Sequence, residues 1–416
     1  MTSRRRLLMW SLLATAFLLV NFHRTATGVL ASSLAVAFDT SGTELGVLHS
    51  SFFYIYAALQ LPAGLLVDRY GPRRAATTSL VVMTVGVVWF ASAGSFPAAF
   101  LARALIGLGG STIYIATLAF LAAWYRADEY ATMTGLTIAA SGIGGVLATT
   151  PLAYAIGAVG WRSSILVAGV VGGLLAGAVW VVVRDSPPSK QTDDEPPSAG
   201  EVLANTRTVL AEVETWLLGG LLFLALGMNF TVLGLWGVPF VADVYDVSVQ
   251  IASLFVLVGN VGTILGSPVF GIISDRLGTR TPLMILGGAT GTVVYIVLAT
   301  VPPLPVVGLA LFLALFANGS VTLAFTVVKE QHPPAVSGTA TGVINSLGYF
   351  GAAIFPAVMG AILDAYWTGE TVGGAPTYTI AGYRVAFLAG AGTALLATLV
   401  ALALHYRISR TPRTGS

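Results

Sequence analysis

A chain of 416 residues, 56% of them hydrophobic and only 9% charged, with a mean hydropathy of +0.85, lies outside the range of soluble globular domains and reads as a polytopic membrane protein. A net charge of +2 is too small to imply a nucleic-acid or strongly acidic partner. The absence of cysteine excludes disulfides, thiolate metal sites and cysteine nucleophiles together.

Apolar runs of roughly 18 to 25 residues between charged or Pro/Gly-rich breaks predict twelve membrane-crossing helices in an all-α protein. Their approximate bounds are 7–37, 46–67, 76–95, 98–124, 131–156, 163–183, 214–240, 248–273, 282–301, 305–328, 338–362 and 384–405. An even number of crossings puts both termini on one side. Cytoplasmic loops are enriched in Arg and Lys, and the segments on the terminal side carry nearly all the basic residues, from Arg4, Arg5 and Arg6 to Arg407, Arg410 and Arg413, against Arg162 and Arg384 on the other. Both termini are therefore expected to be cytoplasmic, in a multi-pass cell-membrane protein. The opening SRRRLLMW could pass for an export signal. Its apolar run is too long for one, however, and removing it would move the basic GPRR at 71–74 outside, so it is read as an uncleaved first helix.

Inside that first run lies NFHRTATG at 21–28, which places Arg24 and His23 at membrane depth. A charged side chain there is costly and normally faces a protein interior or a watery cavity. Asn21, Arg24 and Gly28 share a helix face, with His23 turned about 100° away. On the second run His49, Tyr56 and Gln60 fall at i, i+7 and i+11. The fourth run opens with RALIGLGGSTIY, which aligns Arg103, Gly107, Gly110 and Tyr114 on one face. Arg103 lies close to a membrane surface, where it either snorkels to water or lines the interior. Between the sixth and seventh runs, RDSPPSKQTDDEPPSAGEVLANTRTVL is the one long polar stretch, a solvated linker with a short helix expected toward its end. It divides the chain into bundles at 1–183 and 214–416, joined by 184–213. The seventh run carries Asn229 and Trp236, the tenth Asn318 and Thr322, and the eleventh Thr341, Asn345 and Tyr349.

An internal repeat follows the second run of each half. GLLVDRYGPRR at 64–74 matches GIISDRLGTRT at 271–281, each matched pair separated by 207 positions: Gly64/Gly271, Asp68/Asp275, Arg69/Arg276, Gly71/Gly278 and Arg73/Arg280. The loop resembles the hallmark motif of the major facilitator superfamily, and its second copy sits where that family has a weaker one. The resemblance implies two pseudo-symmetric six-helix bundles, a central cavity lined mainly by helices 1, 4, 7 and 10, and alternating access. On this reading Gly64, Asp68, Arg69, Gly71, Arg73, Asp275, Arg276 and Arg280 form a gate, with Asp68 accepting hydrogen bonds or pairing with a basic neighbour and Gly64 and Gly71 permitting close approach and a tight turn. NFHRTATG is similar to helix one of the anion:cation symporter branch, which has Asp-Arg where this chain has His23-Arg24. The arginine carries over and the acid does not.

All 18 acidic residues fall in loops, at helix ends or in the linker. A buried arginine with no carboxylate near it is most cheaply neutralised by an anion that visits, and its guanidinium fork suits carboxylate or phosphate oxygens. The expected function is secondary transport of a small organic, carboxylate-like anion. Proton symport through His23 and anion exchange are both open. The expected substrate-binding set is Arg24, His23, Asn21, Tyr56, Gln60, Tyr114, Asn229, Trp236, Asn318, Asn345 and Tyr349. Four scattered histidines, seven scattered methionines and no embedded acid argue against an enzyme, a metal site or a cofactor. Alternatives are a multidrug/proton exporter, which normally has an embedded acid, and a transport-derived sensor, which normally has a longer tail than YRISRTPRTGS. The partners expected are the anion, a proton where the coupling is symport, and lipid, in a monomer that binds no nucleic acid.

Overall fold

A computed structural model describes residues 3–186, 199–372 and 374–410. Part of the expected linker, residues 187–198, lies outside the described residues. The short helix expected toward its end is present at Ala199–Leu210.

The first run is divided into α1 (Ser3–Thr25) and α2 (Thr27–Phe38). The second comprises α3 (Gly42–Ala58), started by a reciprocal capping box between Ser41 and Glu44, and the beginning of α4 (Gln60–Ser92). Gly71 breaks α4 with φ of 78° and ψ of 158°, and Pro72 restarts it. The fourth run divides into α5 (Phe96–Gly110) and α6 (Ile113–Trp124), and the fifth into α7 (Ala127–Leu147) and α8 (Thr150–Val159). The straight α9 (Trp161–Val182) closes the first half, and α10 (Ala199–Leu210) follows the linker. The seventh run is α11 (Val213–Thr231), a π-helical turn at Val232–Trp236 and α12 (Gly237–Tyr245). After α13 (Val249–Leu277) and α14 (Thr281–Ala299), the tenth run is α15 (Leu304–Asn318), a 3-10 turn at Gly319–Thr322 and α16 (Leu323–Gln331). The last two runs are α17 (Pro334–Asp364) and α18 (Ile380–Arg410), joined by an antiparallel hairpin of β1 (Trp367–Val372) and β2 (Ala375–Tyr378).

Among the described residues ten helices are long and apolar enough to cross a membrane, or eleven if the bent pair around Ala148 is one span. The count differs from the twelve expected because α3, at 17 residues, falls short by itself, while the end of the second run and all of the third are carried by α4. The hairpin was not anticipated; its Tyr378 ring meets Trp236 edge-on at 6.0 Å.

The helices before and after the linker meet along a seam between α3 and α17. Near the start of α3 a Cβ added at Gly46 would lie 2.5 Å from the Pro356 carbonyl oxygen, so only glycine lets these backbones approach so closely. Asp364 accepts hydrogen bonds from the backbone N–H groups of Gly42 (2.7 Å) and Thr43 (2.8 Å) and from the Thr43 hydroxyl (2.5 Å). Farther along, Ser346 donates to the Ala57 carbonyl at 2.6 Å, and Leu61 packs where a Cβ on Gly342 would fall. Past that point a Cβ on Gly64 of α4 or on Gly338 of α17 would meet nothing within 4 Å. The halves are thus packed closely at the end where α3 begins, the shut end, and leave open space at Gly64 and Gly338 toward the repeated loops.

Candidate functional site

The break between α1 and α2 falls within NFHRTATG and holds Arg24 in the interior, 4% exposed. Its guanidinium carbon lies 4.7 Å from the Tyr56 ring centroid, 5.2 Å from Tyr349, 5.3 Å from Phe230 and 5.8 Å from Phe52. Two of these rings come from α3 and two from α11 and α17, so both halves build the box. Cation–π attraction in a dry site supports the charge without neutralising it. Nη1 donates to the Tyr349 hydroxyl at a long 3.4 Å, while Nε and Nη2 have no hydrogen-bond partner. Those two nitrogens form the side-on fork of the guanidinium, two parallel donors spaced to match a carboxylate.

A second buried arginine stands nearby. Arg103 is 2% exposed, so it does not reach water here; it lies over Phe90 at 5.6 Å and also leaves Nε and Nη2 unpartnered. It is the charged neighbour of two buried histidines, His23 and His49. Among the described residues neither Arg24 nor Arg103 is paired with a carboxylate, so the interior carries positive charge with no internal counter-ion.

The structure brings together Arg24, Tyr56 and Tyr349, whose rings are 4.6 Å apart, and next to them Gln60 and Asn345. The last two are bonded to each other, Asn345 Nδ2 donating to Gln60 Oε1 at 2.7 Å. His23 is buried beside Phe22. The other expected residues lie elsewhere. Asn21 donates to the Ser141 carbonyl at 2.7 Å, tying α1 to α7. Tyr114 stacks on Phe17 at 4.7 Å. Asn229 and Asn318 line a separate cavity of about 40 Å³ bounded by α11, α14 and α15, because at their helical phase they face the interior of their own half. Trp236 donates to the Pro356 carbonyl at 2.9 Å within the shut end, alongside a cavity of about 90 Å³. Sequence reasoning missed Phe52 and Phe230, although the run SSFFYIY held a visible aromatic signal, and it left Arg103 undecided.

At the repeated loops the expected pairing of Asp68 is not made: among the described residues it has no hydrogen-bond or ionic partner. Arg73 instead bonds Asp185 through its backbone N–H (2.7 Å) and the Trp180 carbonyl through Nε (2.7 Å), which joins the loop to the end of α9. Gly71 is required there, for its positive φ and because a Cβ would fall 2.5 Å from Asp185 Oδ1. Gly64 makes no close approach, since its surroundings are open. Arg69 lies over Tyr70 at 5.6 Å. In the second copy Arg280 pairs with Asp275 at 2.6 Å and Glu330 at 3.1 Å, the latter reaching α16, and Arg276 sits in the last turn of α13.

The chain is similar to curated transporters along most of its length. It is 26% identical to the probable nitrate/nitrite transporter NarK2 of Mycobacterium tuberculosis (87% of this chain, 90% of that one). Against the probable sulfoacetate transporter SauU of Cupriavidus necator the identity is 24% (84% and 85%), and against the probable galactarate/D-glucarate transporter GudP of Bacillus subtilis it is 22% (86% of each). Among solved structures, a bacterial homolog of the human lysosomal transporter Spinster superposes with a TM-score of 0.81 at 19% identity, covering 99% of this chain and 100% of the other. The family model described as Major Facilitator Superfamily matches residues 12–356 and 226–416. Sequence, helix order and fold agree: the chain belongs to the major facilitator superfamily, and it is an integral membrane transporter, not an enzyme.

Proposed function

We propose that this protein is a secondary transporter that moves a small organic, carboxylate-like anion across the cell membrane by alternating access between bundles at 1–183 and 214–416. The observation that carries the reading is the buried side-on fork of Arg24, charged, aromatic-lined and free of any internal carboxylate. An anion supplies the two acceptors this fork lacks, at less cost than leaving the charge bare. The names of the relatives support the same class, since nitrate, sulfoacetate and galactarate are all anions. Both termini are assigned to the cytoplasm by the distribution of basic residues. The shut end then faces outward and the repeated loops face the cytoplasm.

Rocking of the halves would open the seam between α3 and α17 and dismantle the aromatic box, because its rings belong to both halves. Coupling is assigned to proton symport through His23. With Arg103 as its charged neighbour, a protonated His23 costs less with the anion in the cavity than with the cavity empty, which would tie proton to substrate. Uptake into proteoliposomes tests both parts. Arg24→Ala and Arg24→Lys should each lose transport; near-normal affinity in both overturns the anion site. Inward transport should carry protons with the anion and His23→Gln should abolish the pH dependence, whereas an unchanged pH profile in His23→Gln leaves anion exchange as the mechanism.

A further inference from the structure

We infer that the transported anion has a flat, apolar body carrying one carboxylate-type head, an aromatic monoacid in chemical class and not a polyhydroxylated acid. The inference rests on Arg24 being the anion site, as proposed above, and adds what surrounds the head. An oxygen pair docked on Nε and Nη2 of Arg24 leaves the rest of the molecule against the rings that enclose the guanidinium. This enclosure continues away from the charge. Phe53 lies 5.2 Å from Phe52, 4.9 Å from Phe230 and 6.3 Å from Tyr349, so α3, α11 and α17 together present an aromatic slot. Flat rings are well held by offset and edge contacts with such faces.

Much of the polar lining beside these rings is already committed. Asn345 gives its amide to Gln60, Gln60 donates to the Tyr56 carbonyl at 3.2 Å, and Asn21 is turned to α7. The hydroxyls of Tyr56 and Tyr349 stand next to the head group, and along the rest of the ring wall the unpartnered polar side chain is His49, 5.3 Å from Phe53, which is one group against the several a polyol would need. Each substrate hydroxyl taken from water without a partner weakens binding about tenfold, so a polyol acid is selected against by the same wall that favours a ring. This separates the chain's substrate from the sugar diacids in the names of some relatives.

The test is a thermal-shift titration of the purified full-length protein with sodium benzoate, galactarate and nitrate at matched ionic strength, on wild type, Arg24→Gln, Phe230→Leu and Phe53→Leu. A ligand that binds the folded state raises its melting temperature. Benzoate should give a saturable rise that vanishes in Arg24→Gln. Its midpoint should move about tenfold higher in whichever of Phe230→Leu and Phe53→Leu folds, and galactarate and nitrate should act at least tenfold more weakly. If galactarate or nitrate stabilises as well as benzoate or better, the apolar-body inference is overturned while the anion site stands. If no anion stabilises, or if benzoate acts equally on Arg24→Gln, the anion site fails and takes the inference with it.

Discussion

The two halves share two helix breaks at matching places and furnish them differently. In the first half these fall at Ala26 and at Ser111–Thr112; in the second they fall in the π turn Val232–Trp236 and the 3-10 turn Gly319–Thr322, close to the 207-residue repeat spacing, whereas the first half's breaks at Leu59 and Ala148 have no counterpart in α13 and α17. Interrupted helices near the membrane midplane are where transporters of this architecture bind their cargo. Yet Arg24 and Arg103 have as repeat counterparts Thr231 and Ala310, and the Thr231 hydroxyl is spent on the Gly227 carbonyl at 2.7 Å. The backbone device is duplicated and the charge is not. On the proposed reading, one half recognises the anion's head, and the other contributes the Phe230 and Tyr349 rings that close over it.

The largest expected effect comes from moving that charge. Arg24→Ala should lower uptake kcat/KM by about 100-fold or more, the loss of two charge-assisted hydrogen bonds at about 1.5–3 kcal/mol each. Adding Thr231→Arg to that variant should not restore uptake, since residue 231 is fully buried among neighbours packed for a hydroxyl. Recovery to within tenfold of wild type would show that the halves are interchangeable and break the comparison.

The two ends of the α3–α17 seam give the next test. At the shut end a Cβ on Gly360 would run into the Gly42 carbonyl, whereas toward the repeated loops Gly64 has open space. Gly360→Ala should therefore cost about 1–3 kcal/mol of overpacking in the shut arrangement and favour its opening, and Gly64→Ala should be silent. Because the chain has no cysteine, a single Thr40→Cys, at a buried position beside the cavity in the shut end, reports the difference through its rate of labelling by a membrane-impermeant thiol reagent. Faster labelling in the Gly64 variant than in the Gly360 variant would contradict this account of the ends.

Much of this architecture was legible in the sequence, because hydropathy and the repeated loop are local patterns with long periods. Arg24 stood out for the same reason, a charge inside an apolar run. What the sequence hid depends on helical phase and on partners far along the chain. Asn229 and Phe230 are neighbours on α11, yet one faces a cavity within its own half and the other faces Arg24. Trp236 looked like a substrate platform and is instead bonded to Pro356, 120 residues away. The motif reading gave Asp68 hydrogen bonds or an ion pair, but among the described residues it has neither, and it is Asp185 that bonds this loop, accepting from the Arg73 backbone N–H.

Asp364 is a smaller lever on the shut end. Its carboxylate caps the start of α3 from the other half, where helix N-terminal N–H groups favour negative charge. Asp364→Asn keeps one acceptor oxygen and loses the charge, so it should shift the opening equilibrium by about 1 kcal/mol, a roughly fivefold faster labelling at Thr40→Cys. No change would mean that glycine packing alone holds this end.

The smallest effect is expected where an ion pair joins helices of the same half. Arg6 holds Glu129 through two bonds of 2.8 and 2.9 Å and lies over the Tyr125 ring at 4.1 Å, linking α1 to α7 without crossing the seam. Because this pair is partly exposed to solvent and does not bridge the halves, Glu129→Gln should leave transport and Thr40→Cys labelling unchanged at neutral pH. The hydrogen bonds from Arg6 hold the Glu129 carboxyl below its ordinary range. Its contribution to stability is therefore present at neutral pH and is lost as pH falls through that lowered value. Melting curves of wild type and variant should accordingly converge below about pH 4. If the variant instead altered labelling at the shut end, contacts within one half would be shown to drive the seam, and the distinction between bundle-internal and bundle-bridging contacts would fail.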